Sequence, residues 1–309
     1  MKKILALVSF VMMGLAVNAQ QDLLLSQQFF SRINKNPAGT GNVTDLDLFL
    51  LGKYSYIEIK DAPKSFVLNA QTFNDRLNSG VGLSLFYDNI GIARSITNAK
   101  VTYAYVARLN DELLLSMGLA AGIQHSYIDP WAYSWEDPSE IGLGEVPADV
   151  ESKIRPDFDF GVELASPRML LGASITHITN NMATTLVAGR HFYAYARYMF
   201  PVSETLEIAP ALVYMHRSKT DVVELNVMAF YDRFLWGGIT YHPDIHDKFQ
   251  TNPVGFTLGV EYQNFRIGYT FDWAFGAVSR LSGNSQELML SYSIPGKRKT
   301  QSADYVKFE

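Results

Sequence analysis

The sequence predicts an all-β fold: a transmembrane antiparallel β-barrel of about fourteen strands in the outer membrane of a Gram-negative cell. Three observations predict it. Apolar and polar side chains alternate along many segments, short and long connections alternate between those segments, and the chain opens with an export signal. The prediction divides the chain into a signal peptide (1–19), an N-terminal periplasmic or plug segment (20–45), the barrel (46–294) and a periplasmic tail (295–309).

Residues 1–19 have the organisation of a secretory signal peptide. Lys2 and Lys3 give a positive start, residues 4–15 are mainly apolar, and residues 17–19 (Val-Asn-Ala) resemble a small-residue cleavage site. Such an apolar run is too short to cross a membrane as a helix, which needs roughly 20 residues. We therefore expect the mature chain to start at residue 20 or 21 and to leave the cytoplasm.

Residues 20–45 carry aromatic side chains, Phe29 and Phe30 among them, ahead of the first predicted strand. A disordered terminus rarely carries such side chains. The segment is therefore predicted to plug the barrel or to dock a periplasmic partner, and packing against the base of the barrel is the alternative. Asn36 and Pro37 within it are candidate partner-binding residues.

From residue 46 the side chains alternate with a period of two, which marks strands with two unlike faces. In one segment Val101, Tyr103 and Tyr105 alternate with smaller or polar side chains. Many segments are about 9–12 residues long, as a tilted membrane-spanning strand requires. The predicted strands are 46–56, 64–73, 79–88, 97–108, 112–126, 157–164, 169–177, 189–200, 205–217, 221–231, 233–241, 254–262, 264–272 and 286–294.

The connections between the predicted strands alternate in length. Short ones include residues 109–111 and 201–204, whereas long ones include residues 89–96 and 127–156. Short periplasmic turns and long external loops are typical of outer-membrane barrels. An even number of strands then places both chain ends on the periplasmic side.

Aromatic side chains are frequent at the predicted strand ends. There they could form the aromatic girdles that lie at the level of the lipid headgroups. The alternative is ordinary β-propensity, which also enriches Tyr and Phe in strands. A Lys or Arg facing lipid at mid-membrane costs about 2–4 kcal/mol, so strand charges are expected to face the lumen. Glycines within strands, such as Gly80 and Gly82, are expected to relieve crowding or to allow bending. The charges on the face opposite to the apolar stripe include Lys100, Arg197, Glu163, Glu224 and Asp272.

Two further regions hold candidate partner-binding residues. The longest loop, 129–151, mixes large rings with acidic side chains, a composition that protein-binding surfaces often use. A loop folded over the barrel mouth, with its rings packed on each other, is the alternative. A solvated tail is the alternative for the basic run near the C-terminus. The candidates are Trp131, Tyr133 and Trp135 in the loop, and Lys297, Arg298 and Lys299 in the tail.

Composition and motifs exclude several functions. The formal net charge is only -5 and there is no cysteine, which argues against nucleic-acid binding, thiolate zinc sites and thiol nucleophiles. The sequence contains no nucleophile elbow and no metalloprotease motif. We therefore predict no enzymatic activity, no cofactor and no metal site. An outer-membrane enzyme such as a phospholipase is the least favoured alternative.

Two blocks of sequence carry a family resemblance. The first contains Ser26-Gln27, Phe29 and Asn36-Pro37-Ala38, and the second contains residues 268–272 (Gly-Tyr-Thr-Phe-Asp) and 287–292 (Glu-Leu-Met-Leu-Ser-Tyr). These blocks resemble the PorP/SprF family of type IX secretion and gliding proteins of Bacteroidetes, across essentially the whole mature chain. The usual Asp-Pro after the leader is here Asp22-Leu23, which weakens any role for that proline.

The resemblance implies an outer-membrane barrel that works with the type IX machinery and has no catalytic residues. It also implies two classes of protein partner, besides the surrounding outer-membrane lipid. These are secreted proteins with C-terminal sorting domains, such as large surface adhesins, and periplasmic peptidoglycan-associated components. We therefore predict a non-enzymatic barrel that binds cargo at the cell surface and partners in the periplasm. A porin or small-solute channel is the alternative.

Overall fold

The chain forms a closed antiparallel β-barrel of fourteen strands in a computed structural model. The structure describes residues 25–41, 46–91, 93–129, 151–179, 189–217, 220–232, 234–243, 253–275 and 283–294. The strands are β1 (Leu46–Tyr54), β2 (Lys64–Asn74), β3 (Ser79–Asn89), β4 (Arg94–Arg108), β5 (Leu114–Ile128), β6 (Glu151–Ala165), β7 (Met169–Thr176), β8 (His191–Tyr198), β10 (Leu206–Arg217), β11 (Thr220–Tyr231), β12 (Leu235–Tyr241), β13 (Val254–Tyr262), β14 (Phe265–Trp273) and β15 (Ser285–Ile294), with a two-residue β9 (Phe200–Pro201) beside β10.

Neighbouring strands pair in sequence order, and the ring closes where β1 pairs with β15 along its whole length. The first residue of β1, Leu46, lies opposite the last residue of β15, Ile294. Both lie at the end of the barrel that carries the short turns. By the usual arrangement of outer-membrane barrels this is the periplasmic end, and the opposite end is called the outer end below.

The two faces of the wall separate as the alternation predicts. Leu119 on the outer surface is 60% exposed, whereas the inward-facing Lys100 is 8% exposed and Glu163 is 1% exposed. A lipid-facing surface of apolar side chains avoids the cost of placing charge in hydrocarbon, and the charges instead find partners inside. None of the described helices has the length and apolarity needed to span a membrane.

The strand limits agree with the prediction to within a few residues, except at β6. This strand begins at residue 151 instead of 157 and pairs with β5 over the full length of both strands. Charged residues and Pro156 interrupt the apolar alternation in its outer part, and that interruption hid the start of the strand. The wall is therefore tall at β4–β6, with 15 residues in each strand, and low at β7 and β8, with 8 residues each.

Candidate functional site: the barrel lumen and its N-terminal segment

Residues 25–41, which we call the lumenal segment, run inside the barrel. They include two short 3-10 helices, η1 (Ser26–Phe29) and η2 (Pro37–Gly39). Polar side chains of the segment are buried with the apolar ones: Gln27 and Asn36 are each 0% exposed. Burying polar groups is costly unless they are hydrogen-bonded, so the contacts between the segment and the wall decide whether it is held in place.

We call residues 32–41, the part of the lumenal segment nearer the periplasmic end, its inner half, and residues 25–29 its outer half. Asn36 and η2 are central to the inner half. The Asn36 Oδ1 atom accepts a 2.9 Å hydrogen bond from the Ala38 N–H and so caps η2, while Pro37 at the first helical position has no N–H to satisfy. The Asn36 Nδ2 group donates to the Val162 carbonyl at 3.0 Å and to the Tyr195 hydroxyl at 2.9 Å. One amide therefore ties the start of η2 to β6 and β8.

Strand glycines make room for the main chain of this inner half. A Cβ atom added at any of three of them would overlap atoms of the lumenal segment, mostly backbone atoms that have no other position available. These glycines therefore mark where the lumenal segment lies against the wall. A side chain at any of the three positions would collide with the segment. The contacts are Gly118 with Pro37 and Ala38, Gly161 with Asn36, and Gly80 with Thr40 and Gly41.

Ion pairs also hold the inner half of the lumenal segment, through Arg32 and Lys35. Arg32 donates to both carboxylate oxygens of Glu163, from Nε at 3.1 Å and from Nη2 at 3.0 Å. The Tyr195 hydroxyl donates to the same carboxylate at 2.5 Å. Lys35 places its Nζ 3.8 Å from an oxygen of Glu224. The forked Arg32 contact fixes direction as well as charge, because the guanidinium plane matches the carboxylate.

Aromatic rings of the lumenal segment pack on rings of the wall. The Phe30 ring centroid lies 4.3 Å from that of Trp236, and the Phe29 centroid lies 5.6 Å from that of Phe230. The Arg197 guanidinium lies 4.5 Å from the Phe29 centroid, within cation–π range. Together with buried aliphatic side chains of β1, β2, β11 and β15, these rings form a packed apolar cluster inside the barrel.

A charged cluster holds the outer half of the segment. Glu287 accepts hydrogen bonds from the backbone N–H groups of Ser26 at 3.1 Å and Gln27 at 3.3 Å. The Lys53 ammonium lies 2.9 Å from Glu287 and 3.0 Å from Asp272, so it is placed between two carboxylates. The start of the lumenal segment is therefore bound to β15, one of the two strands at which the ring closes.

A second buried charged cluster lies on β4 and β6 and in the turn after β7. Asp157, Asp159 and His177 bring ligand atoms within 4.8 Å of one another, which is metal-like spacing. Lys100 already places its ammonium 2.9 Å from Asp157 and 2.8 Å from Asp159. Gly122 lies between Lys100 and Asp157 in the strand register, so no side chain blocks the lysine. The ammonium supplies the charge that a metal ion would otherwise provide, and a metal would have to displace it.

The candidate binding residues fall into two groups. Asn36 and Pro37 are buried inside the barrel, so a partner would reach them only by entering the lumen or by moving the lumenal segment. The others lie outside the described residues: Trp131, Tyr133, Trp135, Lys297, Arg298 and Lys299.

Sequence reasoning missed the residues that hold the lumenal segment, Arg32, Lys35 and Glu287 among them. Alternation does indicate that Glu287 faces inward. No local pattern, however, says which segment of the chain its carboxylate binds.

Comparison with known proteins gives a family and a fold. The family model described as type IX secretion system membrane protein PorP/SprF matches residues 17–292. No curated protein matches the chain. Among solved structures, a FadL homologue of Pseudomonas aeruginosa is 13% identical, with a TM-score of 0.51 over 85% of this chain and 94% of that one. A structure described as the CymD monoaromatic hydrocarbon channel is 11% identical, with a TM-score of 0.51 over 89% of this chain and 94% of that one.

Identities this low show the barrel fold alone, whereas the family model covers most of the chain. Outer-membrane localisation follows from the fold and the family together. The protein belongs to the PorP/SprF family of type IX secretion system membrane proteins.

Proposed function

We propose that this barrel is a non-enzymatic component of the type IX machinery that binds secreted, adhesin-type cargo at the cell surface and periplasmic partners on the other side. The observation that carries the proposal is the filled lumen. The barrel's own chain occupies its interior through ion pairs, hydrogen bonds and packed rings. A barrel whose interior is occupied in this way is suited to binding partners at its two ends and not to passing solutes along its axis.

The outer end offers the surface for cargo. The strands β4, β5 and β6 rise above their neighbours β7 and β8 and give the wall one high side. The loop between β5 and β6 carries Trp131, Tyr133 and Trp135, residue types that anchor protein interfaces. We propose this loop as the main contact with a secreted protein that bears a C-terminal sorting domain.

The periplasmic end offers the short turns and the tail after β15. Lys297, Arg298 and Lys299 in that tail suit an acidic partner, and a peptidoglycan-associated component of the machinery is the class that the family suggests. Charge pairs between proteins set specificity and encounter rate more than affinity. We therefore expect the periplasmic contact to weaken as salt is raised.

The test is a pull-down in mild detergent from native membranes, read by mass spectrometry. One variant replaces residues 131–149 by a short Gly-Ser linker, and the matched control shortens the β1–β2 connection, residues 57–61, on the same side. We expect a large surface protein to co-purify with the wild type and the control and to be lost from the first variant. Normal surface display of every type IX cargo in a strain without the barrel would overturn the proposal.

A channel for small solutes is the second candidate, because the solved structures that the barrel resembles include one described as a hydrocarbon channel. A conducting lumen needs a continuous water-filled path, and the lumenal segment occupies the interior where that path would run. Purified protein in planar bilayers decides between the two functions. The scaffold predicts no steady conductance from the wild type, whereas an open steady conductance would favour the channel.

A further inference from the structure

We propose that the outer part of β6, residues 152–156, is an open sheet edge to which an extended, acidic segment of a secreted polypeptide adds as a further strand. This edge directly follows the loop that we propose as the main contact with cargo. That the polypeptide is secreted cargo rests on the proposed function. The edge and its charge do not, because both are properties of described residues in the barrel wall.

In its outer part, β6 has a strand neighbour on one side only. It pairs with β5 along its whole length, whereas its pairing with β7 stops at Phe160. Beyond that pair, the Phe158 carbonyl accepts a hydrogen bond of 2.9 Å from the Ile178 N–H. The Pro156 carbonyl accepts one of 2.8 Å from the Thr179 hydroxyl. The chain that follows β7 therefore covers this edge of β6 as far as Pro156.

The main-chain groups beyond Pro156 have no partner on this side. In an antiparallel strand the N–H and C=O groups of one residue point to one side, and those of the next residue point to the other. The carbonyls of Phe158 and Pro156 point away from β5, so the main-chain groups of Ser152 and Ile154 do the same. Within the described ranges, these two N–H and two C=O groups make no hydrogen bond. They are a template on which an extended peptide can add as a strand.

Both faces of this part of β6 are accessible. Residues 152–156 are all exposed, and Ile154 is 68% exposed. Further along the same strand one face is buried in the lumen, where Asp157 is 0% exposed and Glu163 is 1% exposed. The outer part of β6 therefore has room for a neighbouring strand together with the side chains on both of its faces.

The charge of the edge favours an acidic partner. Lys153 and Arg155 lie on the inward face of β6, the face that also carries Asp157. The Asp157 carboxylate is bound to Lys100 at 2.9 Å, and Arg155 forms no ion pair with a described residue. Opposite charges on neighbouring strands stabilise their pairing. A strand with acidic side chains on its inward face and apolar ones beside Ile154 would match both faces of this edge.

The test uses the purified full-length barrel in mild detergent and a fluorescent peptide of about eight residues in which Glu and Val alternate. Fluorescence anisotropy measures binding, and a peptide in which Lys and Val alternate is the charge control. We expect the acidic peptide to bind about tenfold more tightly than the basic one. Failure of the acidic peptide to bind, or equal binding of both peptides, would overturn the proposal.

Ile154→Pro tests the edge itself. Proline removes an N–H that points away from β5, so the ladder with β5 keeps its hydrogen bonds, and Pro156 already occupies an equivalent position in the wild type. We expect the acidic peptide to bind about tenfold more weakly. Ile154→Val keeps the N–H and should stay within about twofold of the wild type. Heat-modifiable migration verifies folding, and unchanged binding to folded Ile154→Pro would contradict the strand addition.

Arg155→Glu tests the charge without altering the main chain. We expect the acidic peptide to lose about fivefold in affinity and the basic peptide to gain. Lys60→Glu, at an exposed position in the β1–β2 connection on the same side of the barrel, is the matched control. Equal effects of the two charge reversals would indicate a general field at the outer end and would overturn the contact with Arg155.

The same variants separate this contact from the proposed function. In the pull-down from native membranes, we expect cargo to be lost with Ile154→Pro and retained with Ile154→Val. Cargo retained by Ile154→Pro would overturn the edge contact and leave the proposed function standing. Normal cargo display in a strain without the barrel would overturn the proposed function, while the peptide measurements would still decide whether the edge binds. A wild-type dimer in detergent that Ile154→Pro abolishes would assign the edge to a second copy and overturn the proposal.

Discussion

The inner and outer halves of the lumenal segment are held in different ways. The inner half rests on glycine positions of three strands, and its Asn36 and Arg32 side chains bind β6 and β8. The outer half is bound through backbone N–H groups to one carboxylate, Glu287. That carboxylate keeps a strong partner without the segment, since Lys53 lies 2.9 Å away.

This difference indicates which half can be exchanged. Removing the inner half would leave the buried carboxylate of Glu163 without its arginine, and it would leave empty space over the strand glycines. Both changes are costly. Removing the outer half would leave Glu287 and Asp272 sharing the Lys53 ammonium, so each acid keeps one strong partner although the cluster carries one excess negative charge. We therefore expect the inner half to be the fixed anchor and the outer half to be the part that a visiting polypeptide could displace.

The largest effect is expected for Gly118→Val. The new side chain would overlap the main chain of Pro37 and Ala38, so the inner half could not seat. We expect the lumen to open and the purified barrel to conduct steadily in planar bilayers, in contrast to the absence of steady conductance that we expect from the wild type. Gly52→Ala is the control, because its Cβ would meet only the Phe66 ring at 3.4 Å. A closed Gly118→Val barrel would mean that the glycine contacts do not anchor the segment.

Glu163→Gln tests the ion pair of the inner half. The change leaves the buried Arg32 without its bidentate carboxylate, at a cost of about 4 kcal/mol. Urea-induced unfolding in lipid vesicles measures the loss in the free energy of unfolding. The double variant Arg32→Met with Glu163→Gln should recover most of it, because no charge is then left without its partner. A single variant as stable as the wild type would contradict the role given to this pair.

Phe30→Ala tests the aromatic cluster between the two halves. The Phe30 side chain is 7% exposed and packs on Trp236, so its removal leaves a cavity at a cost of about 3 kcal/mol. The same unfolding measurement applies, and Trp236 fluorescence should shift as water enters. Phe234→Ala, at a position 53% exposed, is the control, with an expected change under about 0.5 kcal/mol.

The smallest effect is expected for Glu287→Gln in the outer half. The amide oxygen can still accept from the Ser26 N–H, whereas the amide nitrogen takes the place of the oxygen that accepts from Gln27. Lys53 keeps Asp272, and the change removes the excess negative charge of the cluster, so we expect a loss of only about 1 kcal/mol. Exposure of the segment's start should rise nevertheless, which protease cleavage near residue 27 would detect. A loss equal to that of Glu163→Gln would show that both halves are anchored equally and would end the comparison.

The strands of this protein follow from local chemistry. Alternation with a period of two is visible in the sequence at β5 or β14, because lipid and lumen impose opposite demands on successive side chains. The same rule placed Lys100, Glu163 and Asp272 on the inner face before any partner was known. It failed at the outer part of β6, where the wall extends with polar side chains and Pro156 and no longer shows the pattern.

The sequence by itself thus determined the barrel and the faces of its strands, through a pattern that repeats every two residues. It indicated the family separately, through the blocks of residues that resemble it. The tertiary structure alone decided what fills the barrel. Ser26 and Glu287 are 261 positions apart, and Arg32 and Glu163 are 131 apart. An inward-facing acid carries no local sign of which distant donor it binds. Only the closed barrel brings the lumenal segment within hydrogen-bond distance of both Glu163 and Glu287, and these contacts keep the segment inside the lumen.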